Sequence, residues 1–162
     1  MRRIKRVLIT AITLCLLILM SDIPVMAAEA EKENGATRDP APQLTQMYVY
    51  AVYSDDGGLE YINSSPSTYI VSTTNDHGGN ELYVYVVEMG YAGNRTATFN
   101  GNTMTLNDMV PLDTDSNGIV DGYLIEWLYS DSNGITTGYF NATSTSVNYP
   151  YTQKNIYNFR IR

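Results

Sequence analysis

The chain has 162 residues, ten of them basic and seventeen acidic, with one histidine, one cysteine and a formal net charge of −7. Surplus negative charge repels phosphate backbones and anionic bilayers, which argues against nucleic acid as a partner. A chain of this length closes one hydrophobic core, so a single folded domain is expected.

The N-terminus places Arg2, Arg3, Lys5 and Arg6 ahead of an apolar run from Val7 to Met20. Ser21, Asp22 and Pro24 break the run, and Ala27, Ala28 and Ala30 follow. A basic stretch, a short apolar stretch and small residues at the exit make up a secretory signal, expected here over residues 1–28 with cleavage within Ala27–Ala30. The run falls short of the roughly 20 apolar residues that span a bilayer. Leu14 directly before Cys15 argues against a lipid anchor. The expected location is therefore extracellular, with no stable membrane anchor. Cleavage would remove four of the ten bases and two of the seventeen acids, leaving six against fifteen, about −9. It would also remove the only cysteine, so the exported domain would hold together by burial, by metal, or by both.

Residues 29–44 are charged, small and proline-containing, and predict a flexible tail. Residues 45–162 predict one all-β domain. Met47–Tyr53, Thr68–Ser72, Leu82–Val87, Arg95–Phe99, Asn102–Leu106, Ile119–Tyr129, Ile135–Asn141 and Tyr157–Ile161 are β-type runs separated by Gly, Asn and Asp. Asn100-Gly101 is the dipeptide of tight hairpins, in which both central residues take positive φ. No segment keeps a helical period for three turns. Short, regularly spaced strands predict an antiparallel two-sheet β-sandwich, with a partly open β-barrel as the alternative.

The most specific stretch runs from Asp113 to Gly122 (DTDSNGIVDG). Calcium takes six to eight hard oxygen ligands, and a D-x-D-x-N-G-x-x-D run converges alternate side chains on one point while glycine allows the bend. Asp113, Asp115 and Asn117 would supply side-chain oxygens, Ile119 its carbonyl, and Asp121 a carboxylate or a water-mediated contact. The twelfth position is Leu124 where an EF-hand has glutamate, so the loop would bind Ca2+ between strands. A plain turn is the competing reading. Asp131-Ser132-Asn133-Gly134-Ile135 repeats Asp115–Ile119 without the outer aspartates, so Asp113 and Asp121 require a reason of their own.

Other chemistry is sparse. His77 reads as a loop histidine with no special role. Glu88 shares strand parity with Leu82, Val84 and Val86, and Glu126 with Leu124 and Leu128, so both are candidates for a carboxylate pair of the glycosidase kind. Ordinary ion pairing, for instance with Arg95 or Arg160, is the favoured reading of both. Tyr48 with Tyr50, and Tyr83 with Tyr85, are candidate stacking surfaces, each pair on its own face.

Ala41-Pro42, Val49–Val52, Thr73–Gly79, Val87–Tyr91, Ala97-Thr98 with Asn100-Gly101, Pro111–Gly122 and Ile161-Arg162, behind a leader and acidic tail, together resemble the YolA-like secreted proteins of Bacillus and relatives, a family of unknown function. The resemblance covers nearly all of the exported chain. It implies a secreted bacterial protein with prophage-linked relatives, and supplies no activity. Ser116 and Asn117 stand where that family's more acidic loop has Gly and Asp. The functional expectation is a calcium-stabilised protein that binds an extracellular polymer, a cell-surface component or a competitor cell. A small hydrolase using Glu88 and Glu126, or a toxin or antimicrobial factor, are the alternatives, and the balance leans away from an enzyme.

Overall fold

The structure, a computed structural model, describes residues 41–62 and 71–162. The expected leader, the tail as far as residue 40 and most of the run expected over 68–72 lie outside these residues. Nine strands follow one another: β1 (Gln46–Ser54), β2 (Gly58–Tyr61), β3 (Glu81–Met89), β4 (Ala92–Phe99), β5 (Asn102–Thr103), β6 (Thr105–Leu112), β7 (Gly122–Ser130), β8 (Gly138–Ser146) and β9 (Gln153–Ile161). They form a five-stranded sheet, in the order β2-β1-β3-β7-β6, and a four-stranded sheet, β5-β4-β8-β9. Every strand pairing is antiparallel, and there is no helix among the described residues. The fold is a two-sheet β-sandwich.

Strand alternation builds the core. On β3, Leu82, Val84 and Val86 point inward and are fully buried, while Tyr83 and Tyr85 take the other face. Val49, Val52, Ile125 and Trp127 complete the inner side of the five-stranded sheet, facing Ala97, Phe99, Phe140, Phe159 and Ile161 from the other. Each large apolar side chain removed from water in this way contributes about 1.5–3 kcal/mol. No disulfide is needed to close such a core.

The expected strand over 102–106 is broken at Met104. Asn102 and Thr103 pair with β4, whereas Thr105 onward pairs with β7 in the opposite sheet. Met104 is buried at the crossing, and its N–H donates to Ala97 O at 2.9 Å. The chain then runs through Pro111, which β6 tolerates because it is an edge strand. The Asn100-Gly101 hairpin takes the expected form, with φ of 50° and 79°.

Two residues before the expected domain start also join the fold. Gln43 forms a bridge to Tyr91, and Leu44 is buried with its N–H on Ser146 Oγ. The β6–β7 loop that carries Asp113–Asp121 is a hairpin connection within one sheet. The second Asp-Ser-Asn-Gly copy, at 131–134, lies where the chain leaves β7 for the four-stranded sheet.

Candidate functional site

In the β6–β7 loop, carboxylate oxygens of Asp113, Asp115 and Asp121 lie within 4.8 Å of one another. Two oxygens that share a cation at 2.3–2.6 Å are separated by at most roughly 5 Å, so the three carboxylates could share one metal ion. The loop is braced by its own N–H groups. Asp113 accepts from Asn117 N at 3.1 Å and Gly118 N at 2.8 Å, Asp115 from Asn117 N at 3.2 Å, and Asp121 from Thr114 N at 2.7 Å. A carboxylate has about four lone-pair sites, so these bonds leave capacity on every group. Hydrogen bonds from the Thr114 hydroxyl and backbone hold the Asp121 carboxyl below its ordinary value. Neither ion pair found among the described residues involves these aspartates.

The other two expected ligands have different tasks. Asn117 donates Nδ2 to Asp115 at 2.8 Å, and its Oδ1 accepts the Ile119 N–H at 2.7 Å. The amide therefore fixes the turn, with one lone pair of its oxygen committed. The Ile119 side chain is exposed. In the second copy, Asp131 accepts the Asn133 N–H at 2.9 Å, reproducing the inner turn with one carboxylate alone. The outer hydrogen bonds from Asn117, Gly118 and Thr114 give Asp113 and Asp121 turn-stabilising roles in addition to any metal.

Glu88 and Glu126 are not brought together. Glu88 points into the core, is 1% exposed, and lies 2.9 Å from Arg95 Nε of the other sheet. Ser144 Oγ donates to its second oxygen, and the Arg95 guanidinium sits 5.7 Å over the Tyr123 ring. Glu126 takes the opposite face of the same sheet. Glu88 is in register with Tyr123, and Glu126 is three residues further along β7, an odd step that reverses the side. The apolar face that Glu126 shares with Leu124 and Leu128 is the outer one, because Ile125 and Trp127 fill the core. No sugar ring fits between carboxylates separated by a sheet, so the geometry removes the paired-acid reading.

His77 is a correction of another kind. It is buried, with Nδ1 3.1 Å from Ser54 Oγ and Nε2 3.3 Å from Glu60 Oε2. Glu60 also accepts the Thr74 N–H at 2.6 Å and the Asn75 N–H at 2.8 Å. Burial alone would raise the Glu60 carboxyl, but these backbone donors and His77 outweigh it and hold it low. Ser54, His77 and Glu60 thus form a hydrogen-bonded relay in the order serine–histidine–acid, with the direction of the Ser54–His77 bond set by the ring tautomer. Ser54 has no exposed surface and its Oγ already accepts the Gly57 N–H at 3.0 Å, so the relay clasps two loops and is closed to substrate. The residues are far apart in sequence. Their one local signal is the pair of similar turns, Asp55-Asp56-Gly57-Gly58 and Asp76-His77-Gly78-Gly79. A Cβ on Gly57 would lie 2.5 Å from His77 Nδ1.

The tyrosines also differ from expectation. Tyr48, Tyr53, Tyr83 and Tyr85 share the outer face of the five-stranded sheet, since Tyr48 is in register with Val87 and Tyr53 with Tyr83. A bulge at Tyr50 turns its ring against Tyr61 at 5.5 Å. A separate surface depression, lined by Gly93, Asn94, Thr145, Ser146, Val147 and Tyr151, contains none of these groups.

A family model described as a domain of unknown function (DUF4879) matches residues 39–161. No curated protein and no solved structure matches the chain.

Proposed function

The chain belongs to this family of unknown function, and from that premise we propose that it is a secreted, calcium-stabilised β-sandwich that works by binding a ligand outside the cell. The observation that carries the metal part is the convergence of three carboxylates within 4.8 Å on a hairpin with no basic partner among the described residues. Like charges at that separation repel, and a divalent cation converts the repulsion into attraction. Calcium would hold the β6–β7 hairpin closed at the sheet edge. The basic leader and its small-residue exit support export, and the YolA-like resemblance is consistent with it.

Binding is favoured over catalysis by where the ionisable groups lie. Glu88 is spent on Arg95, His77 and Glu60 on a closed clasp, and Glu126 stands on an open sheet face. The test is a thermal melt of the protein in calcium and then in chelator. A melting temperature that rises with calcium, and no longer does so in Asp113→Asn or Asp121→Asn, is the expected result. An unchanged melt at millimolar calcium removes the metal from the proposal.

A further inference from the structure

The two sheets divide the charge of the domain between them. The five strands of the larger sheet contain Glu60, Glu81, Glu88, Asp108 and Glu126 and no lysine or arginine. The four strands of the smaller sheet contain Arg95, Lys154 and Arg160 and no acid. Among the described residues, only Glu88 of the five acids on the larger sheet has a lysine or arginine partner, and it is inside the core.

The outer face of that sheet combines this charge with aromatic surface. Tyr85, Glu126 and Asp108 are neighbours in one cross-strand row, and Tyr53, Tyr83 and Leu128 in the next. Ala51, on the same face, is 1% exposed and lies in register between Tyr61 and Tyr85. Tyr61, at the β2 edge, extends the surface and is 66% exposed. Glu126 and Asp108 stand directly opposite each other on adjacent strands, an arrangement that costs stability unless a cation lies between or above them.

Hydrogen-bond capacity around Glu81 and Glu126 is one-sided. The Tyr83 hydroxyl donates to Glu81 at 2.9 Å, and Asn107 Nδ2 donates to Glu126. The Tyr85 hydroxyl is kept protonated by burial and by the Glu126 charge beside it. The donors beside the acids are thus turned toward them, and what remains for a ligand there is mainly acceptors and ring faces. Lysine and arginine bring donors only, stack over tyrosine and lay their methylene stems along apolar side chains such as Leu124 and Leu128. Five strands give a width of about 19 Å, enough for about six extended residues.

We infer that the outer face of the five-stranded sheet, centred on Tyr83, Tyr85, Glu126 and Asp108, binds a lysine- or arginine-rich polypeptide segment. The inference deepens the reading of the protein as a binder and rests on it. The test is titration of the full chain with fluorescent octa-lysine at fixed calcium and moderate salt. Asp108→Asn with Glu126→Gln should weaken binding about tenfold, a little over 1 kcal/mol of contact energy. Asp76→Asn with Asp131→Asn removes the same charge from loops outside this sheet and should leave the affinity within about twofold, since charges beyond a Debye length are screened. Amide chemical-shift changes should gather on β1, β3 and β7. Equal losses in both double variants, or no saturable binding, overturn the inference. The sheet variant relieves a like-charge pair and should melt no lower than the parent, so a loss of binding with an intact melt is read as loss of the site. If octa-lysine fails while the protein still binds cell surfaces, this inference falls and the wider binding proposal stands. If both fail, both fall.

Discussion

Arg95 Nε lies 2.9 Å from Glu88 Oε2, joining β4 of one sheet to β3 of the other through the interior of the sandwich. The carboxylate is fully buried and has Ser144 as its second donor, so its charge depends on two side chains from the opposite sheet. Arg95→Ala leaves that charge without a counterion and should cost about 3–5 kcal/mol. Glu88→Leu with Arg95→Met, which removes both charges and keeps the volume, should cost clearly less than Arg95→Ala. Urea unfolding of both variants checks the order. If the double variant is the less stable, the pair does not behave as a buried ion pair.

Calcium at one hundred times its dissociation constant should add about 2.7 kcal/mol to the stability of the native protein. Asp131→Asn, in the second copy of the turn, should leave that increment unchanged, because one carboxylate alone cannot hold the ion. Calorimetric melts of the two loops' variants across a calcium series distinguish a metal site from a turn.

Acid should loosen the Ser54–His77–Glu60 clasp. The folded Glu60 carboxyl is held below its ordinary value, so the unfolded chain takes up this proton first as pH falls. The stabilisation is therefore present above about pH 4.3, the unfolded value, and is lost as pH drops through the folded one. Glu60→Gln should be less stable near neutrality and should flatten the acid limb of a stability–pH profile. An acid limb identical to the parent's would show that Glu60 makes no such contribution.

Gly122 approaches the neighbouring strand so closely that a Cβ would lie 2.1 Å from the Glu88 carbonyl oxygen. The oxygen is backbone and a Cβ is fixed in place by its own backbone, so neither can rotate away. Gly122→Ala should destabilise the domain by about 1–3 kcal/mol, measured by chemical denaturation. It should also weaken the calcium response, because Asp121 is the preceding residue and its carbonyl accepts the Gly90 N–H.

Export is checked by mass. Expression of the full chain in a secreting bacterial host should yield a protein in the medium that starts after Ala27, Ala28 or Ala30. A cell-retained product with Met1 intact would contradict it.

What the sequence determined by itself was local. Period-two alternation marked β1, β3 and β7 and the all-β class, and Asn100-Gly101 marked a hairpin whose residues do take positive φ. The aspartate spacing at 113–121 was legible for the same reason, since a short loop brings its own side chains together. Parity put Glu88 with Leu82, Val84 and Val86, but parity alone does not say which face turns inward. That was decided by Ile125 and Trp127, which fill the core and leave Leu124, Glu126 and Leu128 outside. The break at Met104, the Glu88–Arg95 pair and the Ser54–His77–Glu60 clasp depend on strands and loops that meet only when the two sheets pack. Register, sheet partner and burial are properties of long-range pairing, which no short stretch of residues specifies.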